Sequence, residues 1–301
     1  MKFAVTGGAG FIGSNIAKLL VENGHTVSVI DNLHTGKIEN IKDVFDQITL
    51  HRIDIRDFDS LTKVLKDVDG IFHEAALTIV QESFTKQKEY HDVNVIGAEN
   101  IFKIARDHRI KIVYASSSSV YGNSNKIPIK EDFPRSPINP YGMTKLEDEH
   151  LAEKHWKDNV SVIGLRYFNV FGKGQTGSYA GVITKFMERL NEGKPPVING
   201  DGTQVRDFVF VEDVAQANLK AMQSKTKNGF FNIGMGIATS INELANIMSD
   251  LWGVATKPVF SSPLEGDVKQ SQADTSLTRK TLEWQAKTSL KDGLSRMISM
   301  S

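Results

Sequence analysis

The 301-residue sequence contains no cysteine. That excludes disulfide scaffolds, thiolate metal sites and cysteine nucleophiles together, and gives no sign of an oxidising compartment. Charge of one sign is also missing: Lys and Arg total 36, as do Asp and Glu, and no basic run resembles a nucleic-acid arm. Small ligands are therefore expected as partners, and nucleic acid is not. No apolar run approaches the roughly 18 residues that cross a membrane. The apolar start after Lys2 is broken at once by Gly7, Gly8 and Gly10, so no signal peptide is read and a cytoplasmic protein is expected. Internal repeats and low-complexity tracts are absent. His150 and His155 fall off a common helical face and are read as surface residues, so no metal site is expected.

Short apolar runs at residues 3–5, 26–30, 48–53, 70–72, 110–114 and 160–165 alternate with helix-like stretches at 11–22, 60–66, 90–108 and 141–157. This alternation predicts a parallel sheet covered by helices on both faces. Past Tyr167 the rhythm loosens, with Gly-rich punctuation at 171–181 and 193–202, and a second lobe is expected to start there. Helix-like stretches at 211–223 and 241–251 flank a strand-like run at 229–233, so the chain is expected to return once to the sheet.

The first strand runs into Thr6-Gly7-Gly8-Ala9-Gly10-Phe11-Ile12-Gly13, a G-x-x-G-x-x-G turn that opens a helix. Glycines let the backbone turn tightly and approach a pyrophosphate, whose charge sits well at a helix N-terminus. Alone, such a turn also suits plain helix–strand packing. Its place between strand and helix, and Asp31 at the end of the second apolar strand, favour a dinucleotide with the acid on the adenosine ribose. A carboxylate there repels a 2′-phosphate and no Arg follows it, so NAD is favoured over NADP.

The stretch YASSSSVYG, residues 114–122, follows a predicted strand and would stand at the carboxyl edge of the sheet, where open α/β folds bind ligands. A solvated turn with hydroxyls bonded to local backbone is the other reading. Further on, Asn139-Pro140 starts a helix on which Tyr141 and Lys145 share a face. A phenol is too weak an acid to act as a base near neutrality unless a neighbouring ammonium and a cationic nicotinamide favour its phenolate. So assisted, it could exchange a proton with a sugar hydroxyl. A Tyr that packs in the core beside a surface Lys has the same spacing.

In order, the chain carries TGGAGFIGS, DNLHTG, HEAA, SSSSVYG, YGMTK, RYFNVFG and GDGTQVRDF. Together these resemble the extended short-chain dehydrogenase/reductases, and most closely the nucleotide-sugar epimerases of the UDP-glucose 4-epimerase type, from Met1 to about Asp274. The resemblance implies an α/β Rossmann fold, a doubly wound parallel sheet with a smaller, interleaved C-terminal substrate-binding lobe. The NAD-binding domain would be 1–169 plus about 208–255, and the lobe about 170–207 and 256–301. It implies Tyr141 as the base, Lys145 on the nicotinamide ribose and Ser117 as the partner hydroxyl.

NAD would also meet Gly7, Gly10, Phe11, Ile12 and Gly13 at the glycine turn, Asp31, Asn32, Thr35 and Gly36 on the ribose side, and Asp54 and Ile55 at adenine. Ala75, Ala76, Leu77, Asn94 and Phe168 complete the implied cofactor set. A UDP-sugar would be held by Ser117, Tyr141, Asn169, Val182, Val197, Asn199, Arg206, Asp267 and Ser271. Arg206 is the most telling of these, because a guanidinium fork suits a pyrophosphate.

The implied reaction takes the C4 hydride to NAD and returns it to the opposite face of a 4-keto sugar, with no net oxidation. Two departures stand out. Leu264 lies where many relatives have an Arg on the nucleotide, with Lys173 and Lys269 as candidate substitutes. Ser271 is small where relatives restricted to plain hexoses tend to have Tyr, which implies tolerance of N-acetylated sugars. Glu147-Asp148-Glu149 is read as a solvated helix face, and His73 as either a packed strand-end residue or a neighbour of the cofactor. The apolar residues of 96–104 and 146–151 are core by pattern, and by resemblance also a homodimer face. Two other classes stay open: another NAD-dependent nucleotide-sugar enzyme, decarboxylating, epimerising a uronate or dehydrating, and a non-catalytic NAD-sensing module. The Asp-Glu pair that dehydrating relatives place at the positions of Ser117 and Ser118 is absent.

Overall fold

The computed structural model describes residues 1–124, 126–175, 181–254 and 257–299. Its centre is a seven-stranded sheet, all parallel, in the order β11-β6-β5-β4-β1-β2-β3. The strands are β1 (Lys2–Thr6), β2 (Thr26–Ile30), β3 (Ile48–His51), β4 (Gly70–His73), β5 (Lys111–Ser117), β6 (Val162–Tyr167) and β11 (Gly229–Ile233). Alternate side chains of β1 go to opposite layers. Phe3 and Val5 join the core shared with α1 (Phe11–Glu22) and α8 (Val211–Gln223), whereas Ala4 joins the core with α2 (Phe58–Leu65) and α5 (Gly97–His108). That two-residue period, with both faces covered, is why the strands read as unbroken apolar runs.

Strand order reverses between β1 and β4, and the crevice outside their carboxyl ends is where open sheets of this kind bind ligands. β11 pairs with β6 at the far edge, so the expected single return to the sheet is present. The predicted helix over 90–108 is divided into α4 (Gln87–Tyr90), a turn of wider π-helix at His91–Ile96, and α5. Gly97 follows the π turn because a side chain there would collide with Ile55. Such turns recur at functional sites, and this one carries Asn94. β5 is longer than predicted. Its pairing with β6 continues to Ser117 opposite Tyr167, so Ser116 and Ser117 are strand residues and buried.

Smaller elements cover one end of the sheet. α3 (Val80–Ser83) precedes α4, and α6 (Pro140–Lys157) precedes β6. β7 (Asn169–Phe171) pairs with β10 (Phe208–Phe210), β8 (Val197–Asn199) with β13 (Val259–Ser261), and β9 (Val205–Arg206) with β12 (Thr239–Ser240). α7 (Val182–Asn191), α9 (Ile241–Trp252) and α11 (Leu290–Ser299) share a separate core built on Phe171, Phe186, Ile198, Leu244, Met248 and Leu294. α10 (Ser276–Leu282) leads Leu282 and Trp284 back onto the sheet core. The expected boundary between residues 255 and 256 lies outside the described residues, as do 176–180 of the Gly-rich stretch. Among the described residues no helix is long and apolar enough to cross a membrane.

Two sequence readings are corrected here. Glu147-Asp148-Glu149 is not a solvated face: Asp148 and Glu149 are fully buried, Asp148 against Lys145 and Glu149 against Arg166. His155 is buried too, edge-on to Phe102 with ring centroids 5.7 Å apart, while His150 is exposed. Ion pairing and aromatic packing from distant strands and helices override the local charge pattern. Of the residues expected as core over 96–104, Ile101, Phe102 and Ile104 are buried, but Ile96 is exposed, as is Met143 on α6.

Candidate active site

A cleft of about 610 Å³ follows the carboxyl edge of the sheet from the glycine turn to the smaller lobe. That size suits a ligand of cofactor dimensions. At its first end Gly7 has φ +64°, the left-handed region. A side chain on Gly13 would overlap the Gly7 carbonyl, and one on Gly7 would stand 2.7 Å from the Ala75 amide. The turn is thus packed to the limit while Gly7, Gly10, Phe11, Ile12 and Gly13 all line the cleft. Gly13→Ala is expected to abolish retention of a dinucleotide, because the loop must open to admit the methyl; protein-bound cofactor after gel filtration is the measurement.

Asp31 directly follows β2 and accepts from the Ala9 amide at 3.0 Å and the Leu33 amide at 2.8 Å. Burial pushes its carboxyl up, and the two amides oppose that. Gly36 lies against this carboxylate and does not itself line the cleft. Next to it, Arg56 grips Asp54 with two bonds of 2.9 and 2.7 Å, and Asn32 adds a third at 3.0 Å. The Arg56 bond holds the Asp54 carboxyl well below the usual range. Arg56 is thereby committed to a carboxylate, while Asp31, bonded among the described residues only by backbone amides, lines the cleft. Asn32, Thr35, Asp54 and Ile55 line this end, and Ala75, Ala76 and Leu77 its floor.

At the middle, Asn139 caps α6 by accepting from the Gly142 amide at 2.7 Å, and Pro140 takes the first turn. The helix so placed sends Tyr141 and Lys145 into the cleft opposite Ser117 at the end of β5 and Phe168 after β6. The Ser117 hydroxyl accepts from the Ser119 amide at 3.1 Å and so shapes the turn it stands on. Asn94 does not reach the cleft. Its side chain exchanges two bonds with the Leu77 backbone, 2.7 and 3.0 Å, and donates to Thr144 at 3.0 Å, tying the end of β4 to α6. His73 is likewise packed behind the cleft, 2.7 Å from the Thr6 hydroxyl, and burial pushes its ring down to about 3.

At the far end Asn169, Val182, Arg206, Asp267 and Ser271 line the cleft, with Leu264 and Lys185 beside them. Arg206 bonds Asp267 and the Val205 carbonyl. Val197 and Asn199 are not brought in. They belong to β8, and Asn199 is occupied by the Ser261 hydroxyl at 2.7 Å and the Gln204 amide at 2.7 Å.

Two acids of the site escaped the sequence reading. Asp148 pairs with Lys145, and its signal was the spacing that puts the two on one helix face. Glu74, at the end of β4, lines the cleft and accepts from the Tyr167 phenol at 2.9 Å, which in turn accepts from Asn218 at 2.7 Å. Burial pushes Glu74 up to about 8, against the Tyr167 bond and the Lys145 charge. The folded chain therefore holds this proton more tightly than the unfolded one. Stability falls as pH rises from the ordinary carboxyl range to about 8 and levels off above it. Glu74→Gln, which keeps the Tyr167 bond without a charge, is expected to match the wild type at pH 5 and to be more stable at pH 9. Because the cleft leaves the group partly open, the gain is on the order of 2 kcal/mol, readable from urea melts at both pH values.

The NAD dependent epimerase/dehydratase family matches residues 3–234, the span that holds the sheet, the glycine turn and the Tyr141–Lys145 helix. The chain belongs to this family. It is 39% identical to a putative UDP-glucose 4-epimerase of Methanocaldococcus jannaschii, over 98% of this chain and 96% of that one. A UDP-glucose 4-epimerase of Thermotoga maritima, solved with UDP-glucose, superposes with a TM-score of 0.94 at 34% identity, covering 99% of this chain and 98% of that one. A UDP-N-acetylglucosamine 4-epimerase of Methanobrevibacter ruminantium, solved with UDP-N-acetylmuramic acid, does so with 0.93 at 34%, covering 100% and 99%. The cofactor of the family is NAD, and this epimerase-type fold meets its requirements: a glycine cradle that no side chain could share and an acid just after β2 that holds the glycine turn through the Ala9 amide.

Proposed function

We propose that the protein interconverts the C4 epimers of a UDP-hexose, UDP-glucose and UDP-galactose in the first place, with NAD retained through the cycle. The observation that carries this reading is the convergence of Tyr141 and Lys145 from α6 with Ser117 from β5 in one cleft with the glycine turn and Arg206. NAD, when bound by the glycine turn, Asp31 and Lys145, supplies a reversible hydride acceptor. Tyr141 removes the proton from the sugar C4 hydroxyl, Ser117 hydrogen-bonds the same oxygen, and Lys145 favours the phenolate by its charge. Arg206 neutralises the diphosphate once Asp267 yields, and Asn169 and Val182 orient the nucleotide-sugar. Turnover needs no external oxidant, since the hydride that leaves C4 returns to it. The parallel sheet carries the cofactor and the smaller lobe the sugar nucleotide.

The test is incubation with UDP-glucose, UDP-N-acetylglucosamine and UDP-glucuronate separately, without added NAD, with products resolved. A C4 epimer is the expected product; release of carbon dioxide or water would overturn the reading. Ser271 is buried at the sugar end and small, which supports turnover of the N-acetyl sugar as well. Activity on UDP-glucose with none on the N-acetyl compound would remove that part. Ile96 and Met143, exposed on neighbouring elements, support a homodimer through α5 and α6, to be checked by light scattering. A cytoplasmic site of action is proposed on the absence of cysteine.

A further inference from the structure

α6 carries a carboxylate for which the reaction above has no use. Asp148 lies one turn after Lys145 on the same helix face, is 1% exposed, and holds its Oδ2 3.1 Å from the Lys145 Nζ. Its Oδ1 is sealed from water and has no hydrogen-bond partner. A carboxylate so enclosed is costly unless a cation compensates it, and Lys145 is the cation that bonds it. The same ammonium lines the cleft with Tyr141, one turn earlier, and with Glu74 across the floor, and the charges of both favour it. Asp148 is its one hydrogen-bond partner among the described residues. An ammonium has further donors, and these stay available to whatever fills the cleft. One charge is thus shared between a fixed carboxylate behind the cleft and the reacting groups in front of it.

We propose that Asp148 is a positioning residue that sets how much of the Lys145 charge reaches Tyr141, and so the pH at which the protein becomes active. The proposal rests on the reading of Tyr141 as the base.

The other charges around the pair come from every packed element. His73 and Glu74 stand at the end of β4, Tyr114 on β5, and Glu147 and Glu149 on α6. Arg166 of β6 is engaged by Glu149, and His91 of the π turn by Glu147. On α3, α4 and α5 the nearby charges are paired at the surface, Glu82 with Lys86 and Glu99 with Lys103. None of these bonds Lys145, so Asp148 is the counter-charge in direct contact with it. Burial pushes Asp148 up, against the pull of Lys145, and in its ionised form it opposes the ammonium. Removing its charge leaves the full ammonium facing Tyr141, which favours phenolate. The acidic limb of activity should then move toward lower pH.

The experiment compares wild type, Asp148→Asn and Asp148→Glu as NAD-loaded proteins. Two quantities are followed against pH: kcat/KM, and the near-ultraviolet phenolate signal that Tyr141→Phe lacks. Asp148→Asn is expected to move both midpoints down by about one pH unit, the effect of a nearby charge. Asp148→Glu, which retains the charge, is expected to keep the wild-type midpoints whatever it does to the rate. Loss of rate at every pH with unmoved midpoints in Asp148→Asn would overturn the proposal and leave Asp148 a purely structural partner. Should the Asn variant not fold, Asp148→Ser carries the same comparison. If the wild type epimerises no UDP-sugar, the reading of the reaction fails, and the phenolate titration still decides on Asp148.

Discussion

Tyr141→Phe is expected to lose turnover by about 10² to 10⁴-fold while keeping its bound NAD. The size follows from removing a positioned proton acceptor and leaving the rest of the cleft in place. The variant is clean because the structural bonds of Tyr141 are made by its backbone: its amide donates to the Ser83 hydroxyl at 3.2 Å, and its carbonyl accepts from Thr144 at 2.8 Å. Among the described residues the phenol bonds no protein group, so its loss leaves no buried partner unsatisfied. Cofactor contacts expected of the glycine turn, Asp31 and Lys145 are untouched. Turnover of UDP-glucose and the NAD content of the denatured protein are the two measurements. Full activity would remove Tyr141 as the base; lost activity with lost NAD would show a binding defect and leave its chemistry open.

Much of this architecture was legible because local pattern and tertiary environment agree. The helices at 11–22 and 211–223 and the strands at 26–30 and 229–233 coincide with the expected segments residue for residue. Their apolar residues meet the sheet core by periodicity alone. The glycine turn was legible for a different reason, since close backbone approach leaves glycine no substitute at Gly13. Where the reading failed, the deciding partner lies far off in sequence. Glu149 looks solvated beside Glu147 and Asp148, yet its ligands come from Ser116, Arg135 and Arg166. Val197 and Asn199 sit at the right place in a motif but turn toward β13, which pattern cannot reveal. Asn94 has the polarity of a ligand contact and spends both amide donors and a carbonyl bond on the Leu77 backbone and Thr144. The serine run changed most. Both Ser116 and Ser117 border the cleft, but the Ser116 hydroxyl is spent on Glu149 of the buried ion network, whereas the Ser117 hydroxyl shapes the turn that follows β5.

That ion network yields the other large effect: Glu149→Ala is expected to destabilise the fold by about 3 to 5 kcal/mol, the cost of breaking a buried charge pair. Glu149 is 0% exposed and accepts four bonds, from Arg166 at 2.8 Å twice, from the Ser116 hydroxyl at 2.7 Å and from Arg135 at 3.0 Å. Arg166 also donates to the Tyr121 phenol at 2.7 Å and the Glu131 carbonyl at 2.8 Å, and its guanidinium lies over the Tyr121 and Phe230 rings. Those contacts hold the cation in place when its carboxylate is gone, so it stays buried and uncompensated instead of swinging to water. Adding Arg166→Met removes the stranded charge and is expected to recover a substantial part of the loss, as apolar replacement of whole buried pairs does elsewhere. Urea melts of the two variants measure both numbers. A loss under about 1 kcal/mol for Glu149→Ala would mean that the aromatic rings and backbone carbonyl, without the carboxylate, suffice to hold Arg166. Activity gives a second readout, because Ser116 loses its partner one residue before Ser117, and a displaced Ser117 hydroxyl lowers kcat at temperatures where the variant is still folded.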